Sequence, residues 1–155
     1  MGLPRTFVGF SSTDIHYYRL MQAWKSNTNI DFNFTDCQLR NEIHSENEVY
    51  IKHLVRQRIS MAGKYLMLIG QDTRYKYKYV RWEAEVAIEK GCTIIGVNLD
   101  GSRRMVEKTC PPIIRGIGAM FVPFSPQIVA YAIENYKMHK DDNWHYKDSV
   151  YKQLG

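Results

Sequence analysis

Two unbroken apolar runs, Tyr65-Leu66-Met67-Leu68-Ile69 and Thr93-Ile94-Ile95-Gly96-Val97, constrain the fold more than any other feature of this chain. A strand tolerates such a run only when both of its faces are covered, which is the situation at the centre of a parallel sheet. Between the two runs, Tyr79-Val80-Arg81-Trp82-Glu83 opens an alanine-spaced helix that ends at Lys90-Gly91. Strand, helix and strand in that order form a parallel crossover unit. It places a carboxylate in the first turns of a helix at the mouth of the sheet, where α/β proteins keep their chemistry.

The rest of the chain repeats this rhythm. Thr6-Phe7-Val8-Gly9-Phe10 reads as a first strand, broken at once by Ser11, Ser12, Thr13 and Asp14. The spacing predicts a helix over residues 14–25, with Tyr17, Leu20, Met21 and Trp24 on its inner face. Residues 31–35 alternate polar and apolar as a half-covered edge strand does, and a loop over 36–45 follows. Ile51, Val55 and Ile59 recur at four-residue steps in a helix over 46–60, with Lys52, Arg56 and Gln57 facing water. Residues 98–118 read as a loop with one short helical turn, 119–122 as a last strand stopped by Pro123, and 128–136 as a last helix. The expected fold is α/β: a flavodoxin-like, doubly wound, five-stranded parallel sheet in the order 2-1-3-4-5. One domain is expected over residues 1–138, since 155 residues bury one good core and not two. The polar tail 139–155 is read as either a docked arm or a disordered one.

A net charge of +5 raises the question of a polyanionic partner. In Arg74-Tyr75-Lys76-Tyr77-Lys78-Tyr79 cations alternate with aromatics as in a groove for single strands. That run, however, leads directly into the carboxylate helix, where the same groups suit a dinucleotide's phosphates and rings. With no nucleic-acid module legible, no nucleic-acid partner is expected. Nor is a membrane partner, because no apolar run approaches the ~20 residues of a span. No cleavable signal is visible at the start, so a cytoplasmic protein is expected. Met1-Gly2-Leu3-Pro4-Arg5-Thr6 fits the loose myristoylation pattern, but Thr6 already begins a strand. Cys37, Cys92 and Cys110 lack the paired spacing of metal sites and read as inert thiols; no metal is expected. His16, His44 and His53 are isolated from any nucleophile.

Helical geometry narrows the choice of carboxylate. At ~100° per residue, Val80, Ala84, Ala87 and Ile88 share the face that must pack on the sheet. Glu83 lies on one edge of that stripe, Glu85 on the other, and Glu89 nearly opposite. Periodicity therefore excludes Glu89 and leaves Glu83 and Glu85 open.

Four segments taken together resemble a known family: Phe7-Val8-Gly9-Phe10-Ser11 with Asp14; Phe34-Thr35-Asp36 opening a long loop; Leu66-Met67-Leu68-Ile69-Gly70; and Tyr79-Val80-Arg81-Trp82-Glu83 followed by Glu89-Lys90-Gly91 and Ile94-Ile95-Gly96-Val97. In this order and spacing, over residues 5–97, they resemble a bacterial TIR-like domain of the Thoeris antiphage type. The resemblance implies an NAD+ glycohydrolase or ADP-ribosyl cyclase that makes an ADP-ribose-type signal for a downstream effector and forms a homo-oligomer on activation. It selects Glu83 as the catalytic residue, with NAD+ as substrate and no cofactor. The family commonly has Trp four residues before that glutamate, where this chain has Tyr79. Phe10 and Ser11, at the sheet's carboxyl edge, are either a stacking surface and hydroxyl for nicotinamide or a core Phe and a helix cap. Asp36, at the mouth of the family's mobile loop 37–45, is either a substrate contact or a turn residue. Trp82 either lines the cleft or packs in the core. A non-catalytic TIR-like interaction module and a nucleoside deoxyribosyltransferase-like enzyme are the alternative readings, because a fold alone does not fix function.

Overall fold

The computed structural model describes residues 2–36, 47–59, 63–75 and 78–155. Strands Thr6–Gly9 (β1), Phe34–Asp36 (β2), Lys64–Ile69 (β3), Thr93–Asn98 (β4), Ile117–Pro123 (β5) and Asp142–His145 (β6) form one sheet. Its order is β2-β1-β3-β4-β5-β6, and each neighbouring pair runs parallel. Helices Ile15–Thr28 (α1), Glu48–Ile59 (α2), Lys78–Glu89 (α3), Pro126–Asn135 (α4) and Asp148–Leu154 (α5) complete the fold. The first five strands take the expected order, and the sixth extends the sheet beyond the five expected. Sequence pattern does not announce β6, because Asp142-Asn143-Trp144-His145 is short and polar with one large apolar ring.

Alternation along the strands divides the core into two layers. Phe7, Tyr65, Met67, Ile69, Ile94 and Phe121 point to the side covered by α2 and α3. Val8, Phe10, Leu66, Leu68, Ile95, Val97 and Val122 point to the side covered by α1 and α4. In α2 the expected residues Ile51, Val55 and Ile59 are the buried ones. On the inner face of α1, Met21 and Trp24 are buried and Tyr17 is partly buried against the core as expected, but Leu20 is 53% exposed and Tyr18 is buried instead. In α3, Val80, Ala84 and Ala87 are buried as expected and Ile88 is not; Trp82, Glu83 and Val86 are buried with them.

Loop 99–116 has no periodicity because side chains, not a repeat, hold it. Asn98, 1% exposed, donates from Nδ2 to the carbonyls of Ser102 (2.9 Å) and Arg104 (2.8 Å). Arg74 donates to the carbonyls of Lys108 and Glu107, and Arg115 donates to those of Cys110 and Glu107. The turn expected there is the 3-10 segment Pro112–Ile114.

Gly96 marks a close approach of apolar side chains inside the sheet's covered face. A Cβ there would lie 2.8 Å from Phe121 Cδ1 and 3.0 Å from Ile69 Cδ1. Gly96→Ala is therefore expected to overpack the core and lower stability by about 1–3 kcal/mol in denaturant unfolding. Gly63→Ala, with nothing within 4 Å of its added Cβ, is the control and should change stability far less.

Candidate active site at the carboxyl edge

In a doubly wound sheet, ligands bind outside the carboxyl ends of the strands, where the strand order reverses. Here the reversal lies between β1 and β3. Glu83 sits in the second turn of α3, whose N-terminal end faces that edge, yet its side chain turns inward and is only 2% exposed. It is not the solvated edge carboxylate that a helical wheel suggests. What admits it is Gly9, at the end of β1. A Cβ at Gly9 would stand 3.0 Å from Glu83 Oε1 and 2.8 Å from Tyr65 Cζ, so the missing side chain leaves a niche that the carboxylate and the phenol enter together.

The other two glutamates of α3 are occupied elsewhere. Glu85 pairs with Lys52 of α2 and accepts from Arg81 Nε at 2.9 Å. Burial alone would push its carboxyl up, but the hydrogen bonds and charges of Lys52 and Arg81 outweigh burial and hold it below its usual value. Glu89 accepts two hydrogen bonds from Arg56, at 2.7 and 3.0 Å, on the exposed side of the α2–α3 pair. Packing places the three glutamates differently: Glu85 and Glu89 clasp two helices, and Glu83 stands beside the end of β1.

The remaining expected site residues are placed differently. Phe10 is fully buried and stacks on Tyr18 with centroids 4.8 Å apart, in the layer on the other side of the sheet from Glu83. Ser11, also fully buried, lies 3.1 Å from the Thr13 hydroxyl, and its carbonyl accepts from the Asp14 amide. Trp82 is 7% exposed, packs edge-on against Tyr79 at 5.4 Å and has Lys78 Nζ 5.4 Å from its ring centre. Asp36 pairs with Val8 as the last residue of β2; the loop expected to be mobile, 37–45, lies outside the described residues. Among the described residues, no group of His, Cys, Asp and Glu is arranged to hold a metal ion.

Sequence reasoning missed two features. One is the close approach of the Tyr65 ring to Gly9, whose only signal is a glycine interrupting an apolar strand. The other is a cavity of about 330 Å³ at the same edge on the α1 side, lined by Asp14, Asp72, Asp100, His16 and Tyr17 among others. Three carboxylates repel phosphate, so this cavity is not where a pyrophosphate would settle. Gly70 lets Asp14 in: a Cβ there would stand 2.5 Å from Asp14 Oδ2. Burial first, then the Asp72 charge, raises the Asp14 carboxyl above its ordinary 3.8 against the opposing Thr73 hydrogen bond and His16 charge. A raised carboxyl contributes stability below its unfolded value and loses it as pH climbs through the folded one. Asp14→Asn is therefore expected to raise the melting temperature at pH 7, and to give no such gain at a pH below 3.8. A gain that is equal at both pH values would remove ionisation as the cause.

A parallel sheet in this order, with a carboxylate-bearing helix after β3 packed beneath the end of β1, defines a flavodoxin-like domain of the TIR-like class. The family described as Thoeris protein ThsB, TIR-like domain, matches residues 7–104, and the chain belongs to that family. No curated protein matches the chain. The match runs from β1 through β4 into the loop that follows, and so includes Gly9, Tyr65 and Glu83. Among the described residues, no helix is long and apolar enough to cross a membrane.

Proposed function

We propose that this protein consumes NAD+, cleaving the bond between nicotinamide and ribose to release an ADP-ribose-type signal, linear or cyclic, in Thoeris-type defence. The observation that supports this reading is the burial of Glu83 against Gly9 at the carboxyl edge of β1. Hydrolysis of an O-glycoside needs an acid for the leaving oxygen and a second carboxylate across the ring. Nicotinamide leaves a cationic nitrogen as a neutral base and needs no proton. The remaining task is to orient the ribose and to stabilise positive charge growing at its anomeric carbon. One carboxylate does both, and does so more strongly where water is excluded. The fate of the cation then depends on water access: water gives ADP-ribose, and an internal nucleophile gives a cyclic isomer.

The cations and phenols near the start of α3 suit the rest of such a substrate better than the acidic cavity does. Lys78 stands over the rings of Tyr79 and Trp82, a cation placed at the helix's N-terminal end where phosphates are favoured. Activation by assembly into a homo-oligomer, and an effector reached through the nucleotide product, belong to the same proposal. The test is nicotinamide release on mixing with NAD+, with mass spectrometry of the nucleotide products from cells with and without phage infection. Absence of any product in infected cells expressing the protein would favour a non-catalytic interaction module. Base exchange on deoxynucleosides without loss of NAD+ would favour a deoxyribosyltransferase-like enzyme.

A further inference from the structure

Two guanidiniums converge on one backbone carbonyl after β3, and among the described residues no carboxylate pairs with either. Arg74 Nη1 donates to the carbonyls of Lys108 at 2.9 Å and Glu107 at 3.3 Å. Arg115, just past the 3-10 segment, donates from Nη2 to the same Glu107 carbonyl and to that of Cys110 at 2.7 Å, and from Nε to Cys110 at 3.1 Å. Both cations bear on the buried Cys110 thiol, although burial outweighs them and pushes it up to about 11. Cations that share one acceptor repel each other. A neutral amide holds a loop without that cost, as Asn98 does at Ser102 and Arg104.

A guanidinium carries five donors in a planar fork that matches phosphate oxygens in pairs. The loop engages Arg74 only through Nη1 and Arg115 only through Nε and Nη2, and both side chains are half-exposed, so donors remain for a ligand. Cys110 and Ile114 belong to the core layer of Val80 and Trp82, which puts the pair on the α3 side of the sheet, with Glu83. Asp72 and Thr109 of the acidic cavity are close by in the chain, so the carboxyl edge is divided between an acidic pocket and this cationic pair. Tyr75 presents an exposed ring beside it, with Arg74 Cζ 5.3 Å from the ring centre.

We propose that Arg74 and Arg115 together form a diphosphate-binding site that takes the pyrophosphate of a dinucleotide, with the Tyr75 ring beside it for a base to stack on. The site deepens the NAD+-cleaving reading and rests on it only for the identity of the dinucleotide. Contacts to the pyrophosphate are made equally before and during cleavage, so their loss raises the Michaelis constant and spares kcat.

ADP-ribose is the probe, because it carries the pyrophosphate and has no nicotinamide to lose. Arg74→Gln and Arg115→Gln keep an amide donor for the loop carbonyls and remove the charge. Each is expected to raise the Kd of the full chain for ADP-ribose by about tenfold, and to leave that for adenosine, which has no phosphate, where it was. Arg115→Lys keeps the charge, loses the fork and should fall between. A measurement on wild type needs no variant to fold: ADP-ribose should protect Arg74 and Arg115 from phenylglyoxal, read by peptide mass spectrometry, while the exposed Arg103 and Arg104 stay reactive. Unprotected Arg74 and Arg115, or an unchanged Kd in both Gln variants, overturns the proposal and leaves the arginines as staples of the loop. Loss of single-stranded RNA binding in those variants with ADP-ribose binding intact overturns it in favour of a nucleic-acid surface. If wild type binds ADP-ribose through the pair and releases no nicotinamide, the proposed function fails and the site stands. If it releases nicotinamide and the variants leave the Michaelis constant for NAD+ unchanged, the site fails and the function stands.

Discussion

Glu83→Gln is expected to cut nicotinamide release from NAD+ by about a hundredfold or more, the loss typical when one charge or donor is removed at a centre of developing charge. The substitution is nearly isosteric, so the niche beside Gly9 stays filled and the melting temperature should move little. Glu85→Gln is the matched control. It removes the negative charge that Lys52 and Arg81 share, a partly exposed ion-pair arrangement worth at most about 1 kcal/mol, and should leave turnover within a few-fold. The ordering of the two activities is what is measured. A dead Glu85→Gln beside a live Glu83→Gln would mean that the wrong face of α3 carries the chemistry.

That contrast also shows where sequence stops speaking. The wheel of α3 places Glu83 and Glu85 symmetrically about the apolar stripe, because it knows only the angle of each side chain and nothing of its neighbours. Two neighbours break the symmetry. On one edge stands α2, whose Lys52 draws Glu85 into an ion pair; on the other stands β1, whose Gly9 leaves room for a carboxylate to sink. Neither is visible in a single helix, although the glycine within Phe7-Val8-Gly9-Phe10 is a legible sign of close approach. The resemblance to TIR-like domains selects Glu83 through spacing, whereas packing separates it from Glu85 by its neighbours alone.

The strand order was legible for the same reason that the core is: unbroken apolar runs in β3 and β4 admit few surroundings other than a covered parallel sheet. Phe10 marks the limit of that reading. It lies one residue past the end of β1, and its ring sits in the α1 layer on Tyr18, across the sheet from Glu83. A residue at the edge of a sheet faces a site only if the pleat also turns it that way. In α1 the miss is a single position, since the pattern admits either Leu20 or Tyr18 beside Met21 and Trp24 in the buried stripe, and the structure buries Tyr18. The choice between them comes from the Phe10 and Trp24 packing, which no local pattern contains.

The tail is where local pattern was weakest and where the second large effect is expected. Deleting residues 139–155 should lower the melting temperature by about 10 °C or more and make the protein aggregate as its concentration rises. β6 pairs with β5 through Ile117–Asp142, Met120–Trp144 and Phe121–His145, so its removal bares the edge of a strand whose residues 118–122 are all buried. A long apolar edge is a template for pairing between chains. Trp144, Tyr146, Val150, Tyr151 and Leu154 pack on the α1–α4 layer, with Tyr146 edge-on to Tyr131 at 5.2 Å and Arg103 3.9 Å from the centre of the Tyr151 ring. At roughly 1 kcal/mol for each partly buried side chain, their loss amounts to several kcal/mol. In a chain of this length each kcal/mol is worth about 2–4 °C. The measurement is thermal unfolding of the shortened chain beside the full one, with light scattering at several concentrations. An unchanged melting temperature and no concentration dependence would mean that the tail only rests on the sheet, and that the five-stranded domain stands without it.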